Sequence, residues 1–506
     1  SLFWSGSPAA TKPCAYNGLD FDRPPVQPAA VASRFGPRRA ILDMRFTNLT
    51  RATEIGANSY LLELGGQRLV LDCGMHPKLE GEAALPDLRL IPDGSLDAIL
   101  ISHSHLDHIG SLPVLMRRQP QARVLMSAPT GRLGDVLLHN SVNVMSKPNG
   151  HHGGGSHAPT AQPLFTHREA DNSVHLWQDC ALRQPWSLEG ERLSRPEEAD
   201  VSFELFDAGH ILGSTGILIR AEGRRIFYSG DVNFLDQTVS RGAAFPEDGV
   251  DVLIMETTRG DHPLAPNFQR AAEETRFVET LAKVFARDGA ALIPVFALGK
   301  TQEVLAMFLQ YKQRGLLGDV PVYIGGLSTK MTEVYDRFAA STPRRLQGLS
   351  LLHSVAPYVL SGREAGSSPI KPRRIYALSS GMMTEHTLSN VFARRMLADP
   401  RHAILFVGYA DPESPAGRLR AAAPGELVAL SDDAPAVERR CQLEVFDFSA
   451  HSQRDDILNY IRRLKPKKVV LVHGDPPAIA WFQKTLAMAE PEMEVIVPPP
   501  GVAVDL

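Results

Sequence analysis

From about residue 45 onward the apolar positions fall into short clusters of two kinds, alternating and continuous. Residues 60–64 alternate, Gly65-Gly66 marks a turn, and 68–72 return as a second strand. The pattern recurs at 217–220, a turn about Gly223, and 225–228. Each hairpin delivers an aspartate to its exit, Asp72 in one and Asp231 in the other. This weak duplication predicts two similar halves packed together. Residues 97–102 and 251–255 are apolar runs without alternation, as in strands covered on both faces. A polar loop and a helix over about 109–118 follow the first run, and Thr166 is placed to cap a helix through about Asp179. Between 261 and 437 strand and helix patterns alternate. Strands are expected at 291–296, 320–324 and 403–407, which reads as a second, parallel-stranded α/β unit. Strands at 443–448 and 468–472, joined by a helix over 454–464, follow it. The first forty residues, rich in Pro, Gly and small side chains, read as an irregular arm, and 147–160, with Gly153-Gly154-Gly155, as a flexible loop.

Composition narrows the class. With 506 residues, 43% hydrophobic and 22% charged, the chain is an ordinary globular one of two or three domains, not a disordered one. No apolar run reaches the roughly 18 residues of a membrane helix, and no signal-peptide core opens the chain, so no membrane partner is expected. Four scattered cysteines favour a reducing, cytoplasmic setting over a disulfide framework. A net charge of -4 excludes a strongly basic nucleic-acid coat, though the 261–436 unit is slightly cationic. Ser1 stands where Met would open a complete chain, so the true start is expected to be missing.

The chemistry concentrates at His103-Ser104-His105-Leu106-Asp107-His108, directly after a buried strand. Imidazole and carboxylate are zinc-type ligands, and His103 and His105 share a face of an extended turn. Asp107 and His108 lie beside them where a helix starts. One ion cannot easily take all four, so two adjacent ions are expected. Further ligands should come from other strand ends. His210 follows an apolar strand among glycines, Asp231 sits at a strand exit where it could bridge, and His473 ends the last strand. Alone, each reads as a cap or a core hydrogen-bonder; together they repeat one format.

On these residues the sequence resembles the metallo-β-lactamase-fold hydrolases, whose hallmark is the HxHxDH loop, and within them the β-CASP nucleases. Leu71-Asp72-Cys73-Gly74-Met75-His76-Pro77 with Leu79-Glu80-Gly81 is especially similar to the endonuclease subunit of the cleavage and polyadenylation machinery and its prokaryotic relatives. The resemblance covers about 45–480. It implies an α/β protein: a four-layer αββα metallo-β-lactamase domain from 41–260 and 437–506, interrupted by an α/β β-CASP domain over 261–436, after the 1–40 arm. It implies two Zn2+, with Mn2+ as the alternative. His103, His105 and His210 would hold one ion, Asp107, His108 and His473 the other, and Asp231 would bridge. Asp72 would support the loop. Glu256 would orient His451 as general acid, and Lys300, Ser380 and Gly381, in Pro294-Val295-Phe296-Ala297-Leu298-Gly299-Lys300 and Ser379-Ser380-Gly381-Met382-Met383, would meet substrate.

The implied activity is zinc-dependent RNA phosphodiester hydrolysis in RNA processing or decay, by a two-metal hydroxide mechanism. RNA follows from a histidine at position 473, which the RNA-processing members share. Its partners would be RNA, with a homodimer or an RNA-processing complex as the assembly. Alternatives are a catalytically idle scaffold, or a hydrolase of DNA or small esters. The short stretch after His473 leaves no expected room for the extra C-terminal domain of RNase J-type enzymes, nor the N-terminus for the KH domains of archaeal relatives. Three departures stand out: Thr258-Arg259-Gly260, where many relatives have an aromatic before the glycine, the loop near Gly153, and Asp411-Pro412-Glu413-Ser414-Pro415. Basic runs at 343–345, 371–374 and 394–395 are candidate phosphate contacts. His139 and His402 show no partner in sequence.

Overall fold

The computed structural model describes residues 44–146, 162–265 and 267–506, so the arm over 1–40 and the loop with His151, His152 and His157 lie outside the described residues. Two seven-stranded sheets carry the expected hairpins. The first runs, in spatial order, Ala503–Asp505, Arg45–Asn48, Tyr60–Leu64, Gln67–Leu71, Ala98–Leu100, Arg123–Met126 and Trp177–Asp179. The second runs Glu494–Ile496, Lys468–Val472, Val252–Glu256, Arg224–Tyr228, Thr215–Ala221, Val201–Asp207 and Pro185–Ser187. In each, the returning arm of a hairpin pairs in parallel with the next apolar strand: Gln67–Leu71 with Ala98–Leu100, and Arg224–Tyr228 with Val252–Glu256.

The alternation read from the sequence sends one face of each sheet inward. Phe46, Tyr60, Leu62, Leu71 and Leu100 of the first sheet meet Phe203, Ile217, Tyr228, Ile254 and Val470 of the second in one core. Burying each such side chain contributes roughly 1.5–3 kcal/mol. The outer faces are covered by helices. Ile109, Leu112 and Leu115 pack on Val70, Ile99 and Val124, while Ile457, Ile461, Phe482 and Leu486 pack on Phe227, Leu253 and Leu471. The result is the four-layer αββα architecture.

A third sheet of six strands runs Tyr358–Leu360, Val322–Gly325, Ile375–Leu378, Ala291–Pro294, Ala403–Phe406 and Gln442–Val445, every neighbouring pair parallel. Helices Arg270–Ala286 and Lys300–Gln313 cover one face through Phe277, Leu281, Val304 and Phe308. Leu388–Met396 and Pro415–Ala421 cover the other. Gln442–Val445 lies past residue 436, the end of the inserted unit expected from the sequence. Ile211 and Leu212 share a further cluster with Leu298, Met331 and Tyr335, which seats this sheet's helices against the αββα layers.

Two expectations are revised. The helix from Thr166 is closed by a capping box with Glu169 but ends at Val174, because Trp177–Asp179 pairs with Val124, Leu125 and Met126 as an edge strand. The helix expected over 109–118 is split into Leu106–Ile109 and Leu112–Arg118, where the Ser111 N–H turns away to the Cys73 carbonyl. Among the described residues no helix is long and apolar enough to cross a membrane.

Candidate metal centre

The candidate ligands rise from strand ends at one edge of the two facing sheets, and the backbone there is bent to aim them. Asp72 and His473, both non-glycine, have φ of 58° and 49°, while Gly209 and Gly230, at 66° and 53°, precede His210 and Asp231. Left-handed backbone is costly for a side-chain-bearing residue and gathers where a structure needs a particular direction.

Asp72 is wholly buried. Its Oδ1 accepts the Ser102 N–H at 2.7 Å, and its Oδ2 accepts the Ser102 hydroxyl at 2.7 Å and the Tyr228 hydroxyl at 2.6 Å. The same Oδ2 faces His108 Nδ1 at 2.7 Å. A carboxylate there accepts a hydrogen bond from Nδ1–H and so turns the Nε2 lone pair inward, the usual support of a ligating histidine.

Three groups of ligand atoms result, those of each within 4.8 Å of one another: His103, His105, His210 and Asp231; Asp107, His108 and His473; and Asp231, Glu256 and His473, which overlaps the first two. In the first, His105 Nδ1 lies 3.1 Å from both His103 Nε2 and His210 Nε2. In the second, His473 Nε2 lies 3.3 Å from His108 Nε2 and 3.4 Å from Asp107 Oδ2. Asp231 joins the two. Its Oδ1 is 3.3 Å from His108 Nε2 and from His473 Nδ1, and its Oδ2 is 3.5 Å from His103 Nε2 and 3.6 Å from His210 Nε2.

This donor set fits metal. Asp231 Oδ1 is buried with no hydrogen-bond donor, a costly state for a carboxylate unless a cation completes it. His210 Nδ1 points at the Ala450 carbonyl at 2.8 Å, which fixes its proton there and leaves Nε2 a lone pair. Burial, then the neighbouring imidazoles, pushes His103 and His210 well below the ordinary histidine range, so both stand as neutral ligands. Burial favours a protonated Asp231, yet the imidazoles around it, His473 first, hold its carboxyl well below its usual range.

Glu256 and His451 stand at the open side of this cluster. Glu256 is buried, accepting the Val232 N–H at 2.8 Å and the Thr258 N–H at 3.2 Å. His451 Nδ1 lies 3.2 Å from Glu256 Oε1, and the His451 side chain keeps 24% of its surface exposed. Burial opposes its charge, but Glu256 and then Asp231 raise His451 above the ordinary histidine value.

The three residues expected at substrate are placed differently from one another. Ser380 is near the surface, its hydroxyl 2.9 Å from that of Thr384. Gly381 lies under the ring of exposed Phe296, which a Cβ would approach to 3.1 Å. Lys300 is buried, with its ammonium on the Phe448 carbonyl, and burial pushes it down to about 8. Of the basic runs, Arg344 points inward to the Tyr335 carbonyl, so it offers nothing to a phosphate. In the departing 411–415 segment, Asp411 pairs with Lys78 of the facing layers. The partners that sequence reading missed at the centre are Tyr228, Ser102, Thr258, whose hydroxyl meets His473 Nδ1 at 2.8 Å, and Asn58, 3.4 Å from His108 Nε2. His139 also has a partner, His167, stacked on it with the two Nδ1 atoms 2.7 Å apart.

Residues 52–157 match the model of the metallo-beta-lactamase superfamily, 301–419 that of the Beta-Casp domain, and 436–498 that of the Zn-dependent metallo-hydrolase RNA specificity domain. The chain belongs to the β-CASP branch of the metallo-β-lactamase superfamily. This β-CASP protein is 30% identical over 431 residues to "Cleavage and polyadenylation specificity factor 73" of Drosophila melanogaster, covering 83% of this chain and 58% of the relative. It is 26% identical over 462 residues to "Endoribonuclease YSH1" of Saccharomyces cerevisiae, covering 87% and 56%. It therefore spans less than two thirds of those relatives. With "Probable RNase MJ4" of Methanocaldococcus jannaschii it shares 26% over 438 residues, covering 84% of this chain and 91% of the relative. A crystal structure of a protein of unknown function from Enterococcus faecalis V583 superposes with a TM-score of 0.53 at 13% identity, covering 92% of this chain and all of that one. That likeness is one of fold.

Proposed function

We propose that this β-CASP protein is a zinc-dependent ribonuclease that hydrolyses RNA phosphodiester bonds at a two-metal centre. The observation that carries the reading is the division of Asp231, one oxygen toward each ligand group, with the His451–Glu256 pair beside it. His103, His105 and His210 would hold one ion and Asp107, His108 and His473 the other, with Asp231 shared. When bound, the pair supplies Lewis-acid charge to phosphoryl oxygens and water activated for attack near neutral pH.

The chain's own groups divide the remaining work. Asp72, locked by Ser102 and Tyr228, fixes the His108 ring so that its donor atom cannot rotate out. Glu256 holds the proton on His451 Nδ1 and favours the imidazolium, which leaves the Nε2 proton for the departing ribose oxygen. The His451 side chain also keeps 24% of its surface exposed, as a proton donor to substrate must. RNA as substrate is supported by the family model over 436–498, the stretch that carries His451 and His473, and by the ribonuclease names of its relatives. The relative named as a cleavage and polyadenylation factor supports membership of an RNA-processing complex. In this reading 41–260 and 437–506 make the metallo-hydrolase part and 261–436 the β-CASP insertion, whose sheet also takes in Gln442–Val445, and Ser380 and Gly381 lie on the substrate's path.

The test incubates zinc-loaded protein with an RNA labelled at either end and with a DNA of the same sequence. The reading expects cleavage of the RNA and little of the DNA. Intact RNA, or equal cutting of both, overturns it.

A further inference from the structure

We propose that Arg259 is a positioning residue of the His451 loop. The proposal rests on the ribonuclease reading above and deepens it. Between the strand ending at Val445 and the helix beginning at Arg454, the chain has no regular secondary structure, and His451 lies near the end of that stretch. A ring on such a loop keeps its direction only if the loop itself is tied down.

One tie is a relay of three contacts. Arg259 grips Asp447 with a two-pronged ion pair, Nη1 to Oδ1 at 3.1 Å and Nη2 to Oδ2 at 2.6 Å. Asp447 Oδ1 accepts the Ser449 N–H at 3.1 Å, and Ser449 Oγ accepts the His451 N–H at 3.1 Å. The planar guanidinium fork holds a carboxylate in orientation as well as position. Arg259 is itself anchored, because Gly260 packs so closely that a Cβ would lie 2.3 Å from the Ala478 carbonyl oxygen. Glu256 leaves the same strand end three residues earlier and holds the His451 ring. One rigid turn therefore grips both the loop's root and the ring it presents. The loop has other holds, the Asp447 N–H to Glu273, Lys300 to the Phe448 carbonyl, the Ala450 carbonyl to His210 Nδ1 at 2.8 Å and the Ser452 N–H to the Val232 carbonyl at 2.7 Å, but it is the Arg259 relay that ends on the His451 N–H itself.

The experiment is a double-mutant cycle on the full chain loaded with zinc, using Arg259→Ala, His451→Ala and the pair together. Two substrates are compared: RNA, whose leaving oxygen needs a proton, and bis(4-nitrophenyl) phosphate, whose leaving group does not. Misplacement of a reacting group by about 1 Å costs on the order of 100-fold, so Arg259→Ala should lower kcat on RNA by roughly 10- to 100-fold with KM nearly unchanged. The double variant should be no slower than His451→Ala, and the aryl ester should lose far less than RNA. Arg259→Lys should recover part of the loss, and Asp447→Asn should reproduce it should Arg259→Ala fold poorly. Losses that multiply in the double variant, or equal loss on both substrates, overturn the proposal in favour of a merely structural ion pair. A parent protein that hydrolyses the aryl ester but never RNA defeats the ribonuclease reading instead, and the positioning role falls with it.

Discussion

His451 Nδ1 sits 3.2 Å from Glu256 Oε1 while its Nε2 faces Asp231 Oδ2 at 3.9 Å, so one ring joins the acidic pair to the candidate metal centre. His451→Ala removes the proton donor and leaves the seven candidate ligands in place. RNA cleavage is expected to fall roughly 100- to 10,000-fold, the range of a lost general acid, at unchanged zinc content. Steady-state rates with metal analysis of the same preparation check this.

Glu256→Gln keeps the hydrogen-bond acceptor and removes the charge. Because Glu256 is the main force raising His451, the imidazolium loses its proton at lower pH in the variant. The fall of activity on the alkaline side of the pH–rate profile is therefore expected to shift toward acid. An unmoved alkaline side would separate Glu256 from the proton donor.

Tyr228→Phe deletes the hydroxyl that donates to Asp72 and keeps the ring in the inter-sheet core. Losses of support behind a ligating histidine typically cost about 10- to 100-fold in metal affinity. Competition of parent and variant against a chromophoric chelator measures it, with little change expected in the melting temperature of the metal-free forms.

The ligands were legible because each is announced locally, by an apolar strand that stops at a histidine or aspartate. Their supports were not. Tyr228 looks like the last apolar residue of a hairpin, Asn58 and Thr258 belong to no motif, and only the facing of two sheets brings Tyr228 to Asp72. Arg344 illustrates the opposite failure. A basic run reads as surface, but the Tyr335 carbonyl draws this guanidinium inside. The Thr166 cap was visible and the end of its helix was not, because Trp177 is claimed by a strand more than fifty residues earlier in the chain. Arg259 was visible only as a departure; its partner Asp447 lies 188 residues on.

Asp207 offers a test of the fold apart from the chemistry. Burial pushes its carboxyl up to about 6, against which the Gly209 N–H and Arg183 pull only weakly. The folded chain therefore keeps a proton that the unfolded chain has released, and above that value the charged carboxylate destabilises the fold. Asp207→Asn should raise the melting temperature. The gain should be absent at about pH 4 and should grow until pH passes about 6. A pH-independent effect would refute the assignment.

The most direct measurement of the central claim is the zinc stoichiometry of the intact protein by native mass spectrometry, for the parent and for Asp231→Asn. The account expects two ions per chain in the parent and loss of at least one in the variant. A parent that binds one ion or none, or a variant that still holds both as tightly, would contradict it.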